Sequence, residues 1–129
     1  MANKKPHRLG DLQLRIMKVL WERREATVAE VLDALDDTDK TLAYTTIATM
    51  LRKMEARSLV THRVDGRSFI YAPKIAAEDV SRSMADHLVD RLFEGNLLDA
   101  VSHLLTTRDV SKDELKQLEK LIAERKKKL

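Results

Sequence analysis

Apolar residues in the opening stretch recur at helical spacing. Leu12, Leu14, Ile16, Met17, Val19, Leu20 and Trp21 cover enough of a helix surface to predict one mostly buried helix over about 11–23. Thr27 is followed three residues later by Glu30, the pattern of a capping box, in which a hydroxyl and a carboxylate each satisfy an amide left free at a helix start. A second helix follows, with Val28, Val31, Leu32 and Leu35 inward. The run Asp36-Asp37-Thr38-Asp39-Lys40 has no apolar residue and is dense in side chains that bond their own backbone, so it reads as a loop. A third helix is predicted from about Thr41 to Arg57.

After Ser58 the period changes. Leu59 to Val64 and Ser68 to Ala72 are rich in β-branched and aromatic residues and are separated by Asp65-Gly66-Arg67, a strong hairpin signal because a tight primed turn needs positive φ. Pro73 closes the hairpin, and helical patterns return over 76–93, 97–105 and 111–127. The last opens on a second capping box, Ser111 to Glu114, and carries Leu115, Leu118, Leu121 and Ile122 on one stripe.

Three helices followed by a two-stranded hairpin is the element order of a winged helix. The expected fold class is therefore mainly α: a winged helix-turn-helix head over 8–74 and a C-terminal helical arm over 75–129. A hairpin is marginal alone, but against three helices it completes a small core. The arm has apolar stripes and little chain to cover them, which predicts burial against a second copy. Its candidate dimerisation residues are Leu88, Leu92, Leu97, Leu98, Val101, Leu104, Leu105, Leu115, Leu118 and Ile122.

Advancing about 100° per residue along the third helix places Ile47, Met50, Leu51 and Met54 on one side. Thr45, Thr49, Arg52 and Lys53 fall on the other, with Thr46 on the flank. Short hydroxyls ahead of basic residues suit a major groove, where threonine reaches base edges or a thymine methyl and arginine pairs with guanine or grips phosphate. Arg63 and Arg67, on and beside the hairpin turn, are the matching wing candidates. Taken singly, each of these is an ordinary solvated side chain; the reading rests on their agreement.

Charge sharpens this picture. The 129 residues carry a net charge of only +3, yet residues 40–74 hold seven basic and two acidic side chains, whereas 75–129 holds ten and eleven. A local basic excess on a balanced chain fits a nucleic-acid partner. Five aromatic residues and three glycines argue against a sandwich or barrel. The absence of cysteine excludes disulfides, thiolate metal sites and a cysteine nucleophile. His7, His62, His87 and His103 lack tight ligand spacing, no catalytic constellation or glycine-rich phosphate loop occurs, and neither a metal, a cofactor nor an enzyme activity is expected. No apolar run approaches the roughly 18–20 residues needed to span a bilayer, so no membrane partner is expected and the default is a cytoplasmic protein.

Leu9 to Trp21, Thr27 to Leu35, Tyr44 to Val60 and Val64 to Pro73 together resemble the penicillinase-repressor family, above all in Met17-x-x-Leu20-Trp21 and Thr46-Ile47-x-Thr49-x-Leu51-Arg52. The resemblance covers nearly the whole chain. It implies a homodimeric winged-helix repressor on double-stranded operator DNA with dyad symmetry, paired through its C-terminal helices. Two branches of the family differ from this chain. The copper-responsive branch carries paired cysteines, absent here. In the β-lactam branch a sensor protease leads to cleavage at an Asn-Phe bond; His103-Leu104 falls at that place, so the cleavage signal is not retained as such, and the resemblance leaves open a sensor protease or another inducing partner. The family often has Trp where this chain has Leu42. The rival reading is a winged helix that docks its basic face on an acidic protein without sequence-specific DNA binding.

Overall fold

The computed structural model describes residues 9–36 and 42–129. Its elements are α1 (Asp11–Arg23), β1 (Ala26–Thr27), α2 (Val28–Asp36), α3 (Tyr44–Ala56), β2 (Val60–Asp65), β3 (Ser68–Pro73), α4 (Ala77–Phe93), α5 (Leu97–Thr107) and α6 (Lys112–Lys127). The chain divides into two compact units, up to Asp86 and from His87 onward.

In the first unit, apolar periodicity becomes one core. Ile16, Met17 and Leu20 of α1, Val31 of α2 and Ile47, Leu51 and Met54 of α3 are fully buried, joined by Leu35, Leu59, Val60, Tyr71 and Val80. Met17 and Leu20 supply core volume, while the Trp21 indole N–H donates to the Ile75 carbonyl at 2.9 Å. The Met-x-x-Leu-Trp pattern thus both fills the core and pins the chain leaving the hairpin. Met50, expected on the buried face, is only half-buried, with its sulfur accepting from Gln13 Nε2 at 3.4 Å.

The capping box at the start of α2 is present in both directions: the Thr27 amide donates to Glu30 Oε1 at 2.8 Å and the Glu30 amide to Thr27 Oγ1 at 3.1 Å. The Thr27 amide, followed by the Thr27 hydroxyl, holds the Glu30 carboxyl below its usual range.

The wing is more than a hairpin. Strand order is β1-β3-β2, all antiparallel, with Ala26 opposite Tyr71 and His62 also opposite Tyr71 on the other side. Gly66 takes the left-handed φ of 63° that a primed turn asks of glycine, and it shares the turn with Arg67. Alternation then divides the hairpin: Val60, His62, Val64, Phe69 and Tyr71 share one face, and Thr61, Arg63, Ser68 and Ile70 the other.

Several boundaries differ from expectation. Asp36 closes α2 instead of opening a loop; the rest of the expected loop, and Thr41, lie outside the described residues. The third helix begins at Tyr44, because Ala43 is extended (φ −107°, ψ 154°) and caps it without a side-chain bond. Helix α5 runs two residues further than predicted, with the Thr106 and Thr107 hydroxyls donating to carbonyls one turn back.

The second unit contains the end of α4, α5 and α6. Asn96 caps α5 by accepting from the Asp99 amide at 3.0 Å, and Ser111 caps α6 by accepting from the Glu114 amide at 3.0 Å. Ala100 is its one buried apolar residue among those described. Leu88, Leu92, Leu97, Leu98, Val101, Leu104, Leu105, Leu115 and Ile122 are exposed in the single chain, and Leu118 is half-buried. No described helix is long and apolar enough to cross a membrane.

Candidate nucleic-acid interface

Burial of Ile47, Leu51 and Met54 fixes the rotation of α3 about its axis, and so decides which side chains it shows to solvent. Thr45, Thr46, Thr49, Arg52 and Lys53 are all exposed, as the sequence predicts. They are also preordered in part: Arg52 Nη2 donates to Thr49 Oγ1 at 3.3 Å, one turn apart. This bond uses one of the five guanidinium donors and leaves the Arg52 side chain exposed on the outward face.

Beside this face lies a hollow of about 330 Å³ lined by Thr27, Val28 and Ala29 of β1 and α2, Tyr44, Ala48 and Arg52 of α3, and Arg67, Ser68, Phe69 and Tyr71 of the wing. Arg52 and Arg67 are fifteen positions apart in the sequence, yet the fold brings both to one depression. Ala29 and Ala48 leave it open because neither has a side chain long enough to fill it. Tyr71 forms its buried floor, and burial, followed by the nearby Glu55 carboxylate, pushes its hydroxyl pKa upward.

Arg63 is placed differently. It stands on the wing face opposite His62, where Nη2 donates to Glu25 Oε1 at 2.9 Å and Nε to Oε2 at 3.5 Å, and this pairing raises its already high pKa. Thr45, Thr46, Thr49, Arg52, Lys53 and Arg67 are shown to solvent by α3 and the wing turn; Arg63 is exposed as well, but its guanidinium is paired with Glu25 of the turn after α1.

His62 is engaged from two sides. Its Nδ1 lies 2.7 and 2.8 Å from the two Glu55 oxygens, and its ring stacks on Phe69 with centroids 4.3 Å apart. A carboxylate only accepts, so Nδ1 carries the hydrogen. Among the described residues no group of three or more His, Asp or Glu side chains is placed to hold a metal ion.

Sequence reasoning did not single out Tyr44, Ser68 and Phe69 for this site. Tyr44 is 54% exposed at the first turn of α3 and borders the hollow. The available signal was strand alternation, which sets Phe69 on the same face as Tyr71.

The penicillinase repressor family model matches residues 9–124. Over 123 residues the chain is 29% identical to the penicillinase repressor of Bacillus licheniformis, covering 95% of each. It is 35% identical over 119 residues to the transcriptional regulator BlaI of Mycobacterium tuberculosis, covering 91% of this chain and 84% of that one. The solution structure of the DNA-binding domain of the repressor BlaI aligns at a TM-score of 0.51 and 34% identity, covering 60% of this chain and 93% of that domain. These relatives are regulators of transcription rather than enzymes. A winged helix-turn-helix with a hydroxyl-bearing and basic outward face on α3, matched by this family along nearly its whole length, has one placement: the chain belongs to the penicillinase repressor family.

Proposed function

We propose that the chain is a homodimeric transcriptional repressor that occupies a two-fold-symmetric operator. Each head inserts α3 into the major groove, and the second unit joins two copies through its uncovered leucines. The observation that carries this reading is the convergence of Arg52 and Arg67, from helix and wing turn, on one hollow beside the hydroxyls of α3. Two cations on neighbouring elements can follow one duplex backbone while Thr45, Thr46 and Thr49 face base edges. Lys53, also outward, contributes phosphate contact. Arg63, paired with Glu25, supports the wing.

Repression follows from occupancy: a dimer seated across an operator excludes competing proteins and needs no chemical step. Two-fold symmetry of the protein demands inverted half-sites about one helical turn apart, or a multiple of it. Thr49→Ala tests the assignment of α3. Anisotropy titrations against single-base variants of the bound duplex should show preference relaxed at one symmetric pair of positions, at about 1–3 kcal/mol of lost discrimination where a good base contact is removed. Uniform weakening on every sequence would move Thr49 from base reader to backbone contact.

A further inference from the structure

The wing tip stands away from the core, yet Arg67 must be aimed. Val64, Asp65, Gly66, Arg67, Ser68 and Phe69 are all exposed, and a two-stranded hairpin is marginal without support on one face. Support reaches it from α3 through one polar bridge. Glu55, one turn beyond Arg52, accepts from His62 Nδ1 with both side chains only about a third exposed (31% and 28%). The His62 ring in turn lies nearly parallel to Phe69, at an interplanar angle of 18°, and Phe69 is two residues from Arg67. Tyr71 closes the group from below, 5.5 Å from His62 and 6.4 Å from Phe69 between ring centroids.

We propose that Glu55 and His62 are positioning residues for DNA binding: the Glu55–His62–Phe69 bridge sets the angle of the wing against α3 so that Arg67 and Arg52 meet the same duplex. The inference rests on the proposed DNA reading and adds to it an acidic residue that charge alone would assign the opposite role. A carboxylate on a DNA-facing element repels phosphate, so removing it should strengthen binding by simple electrostatics. As a brace, it does the reverse. Its loss frees the wing, and Arg67 then contacts phosphate only after an ordering cost.

Glu55→Ala is the variant of choice, because alanine is the best helix former and α3 keeps its fold. Glu55→Gln retains an acceptor for Nδ1 and removes the charge. Both are made in the full-length protein, alone and with Arg67→Ala, and titrated at several salt concentrations on a duplex that the unaltered protein selects from a random library. Glu55→Ala should weaken binding about threefold to tenfold, the worth of one hydrogen bond. It should also reduce the log–log salt slope by up to about 0.9, one phosphate contact. In the Arg67→Ala background it should do neither, and Glu55→Gln should restore most of the loss. Tighter binding by Glu55→Ala, or an equal loss with and without Arg67, overturns the brace while leaving the DNA reading in place. A preferred duplex whose salt slope is unmoved by Arg67→Ala overturns the brace alone, since there is then no Arg67 contact to aim, whereas recovery of no preferred duplex overturns the DNA reading and the brace together.

Discussion

The two units bury their apolar residues differently. Up to Asp86, helices α1 to α3, the three strands and Val80 of α4 enclose a core in which Ile16, Met17, Leu20, Ile47, Leu51 and Met54 have no solvent exposure. From His87 onward leucines are about twice as frequent, ten in 43 residues against nine in the first 86, yet Ala100 is the one buried apolar residue described and Leu98 is 76% exposed. Apolar area removed from water is worth roughly 25 cal/mol per Å², so the first unit holds its stabilisation within one chain and the second has most of its own still to gain. In the proposed function the difference divides the labour: a head that folds around itself and offers the reading face, and a helical segment that would gain its stability by association with another copy.

Core truncation in the head is the strongest way to break this contrast. Leu51→Ala leaves a cavity under α3 and should cost about 2–5 kcal/mol in urea unfolding, with DNA binding lost in step. In the second unit the analogous change should act on association. Leu98→Asp places a charge on the uncovered face and should weaken dimerisation by about 2 kcal/mol or more, read by sedimentation equilibrium, without touching the head's core. A dimer of unchanged strength would place the interface elsewhere.

Smaller effects sharpen the description of the head. Thr27→Ala removes the α2 cap and should cost about 1 kcal/mol. Because the native Glu30 carboxyl sits below its ordinary value, its contribution is present above that value and fades as pH falls through the lowered one. Glu30→Gln should accordingly flatten the acid limb of the stability curve, and superimposable curves would remove the capping box from the account. At the alkaline end the sign reverses. Burial raises the native Tyr71 pKa, so stability is complete below the ordinary tyrosine value and declines as pH rises toward the raised one. Tyr71→Phe should lessen that decline.

The two wing arginines give the smallest and most specific comparison. Arg67→Ala should lower the log–log salt slope of operator binding by about 0.9, whereas Arg63→Ala should leave it unchanged and act through a loosened wing. A matching drop for both would mean that Arg63 leaves Glu25 when DNA arrives.

Helices, hairpin and capping box were legible because each has a local signature: a period, a glycine turn, a Thr-x-x-Glu spacing. The two-residue β1 was not, since Ala26–Thr27 is too short to show alternation and is a strand only by pairing with Ile70 and Tyr71. On α3 the outward set followed from the buried face, which is a property of one helix. The hollow is a property of three elements, so its wing and α2 walls, and the convergence of Arg52 with Arg67, needed the fold. The Glu25–Arg63 pair spans 38 residues and the sequence offers no pattern that would join them. Charge at that position was legible, but its partner was not.

Selection of bound duplexes from a randomised library by the full-length protein, at low and near-physiological salt, tests the central claim most directly. The account predicts an inverted repeat at both salts, with half-sites about one helical turn apart or a multiple of it. Recovery of no motif, with binding that disappears as salt rises, would contradict it and make the basic face a docking surface for an acidic protein.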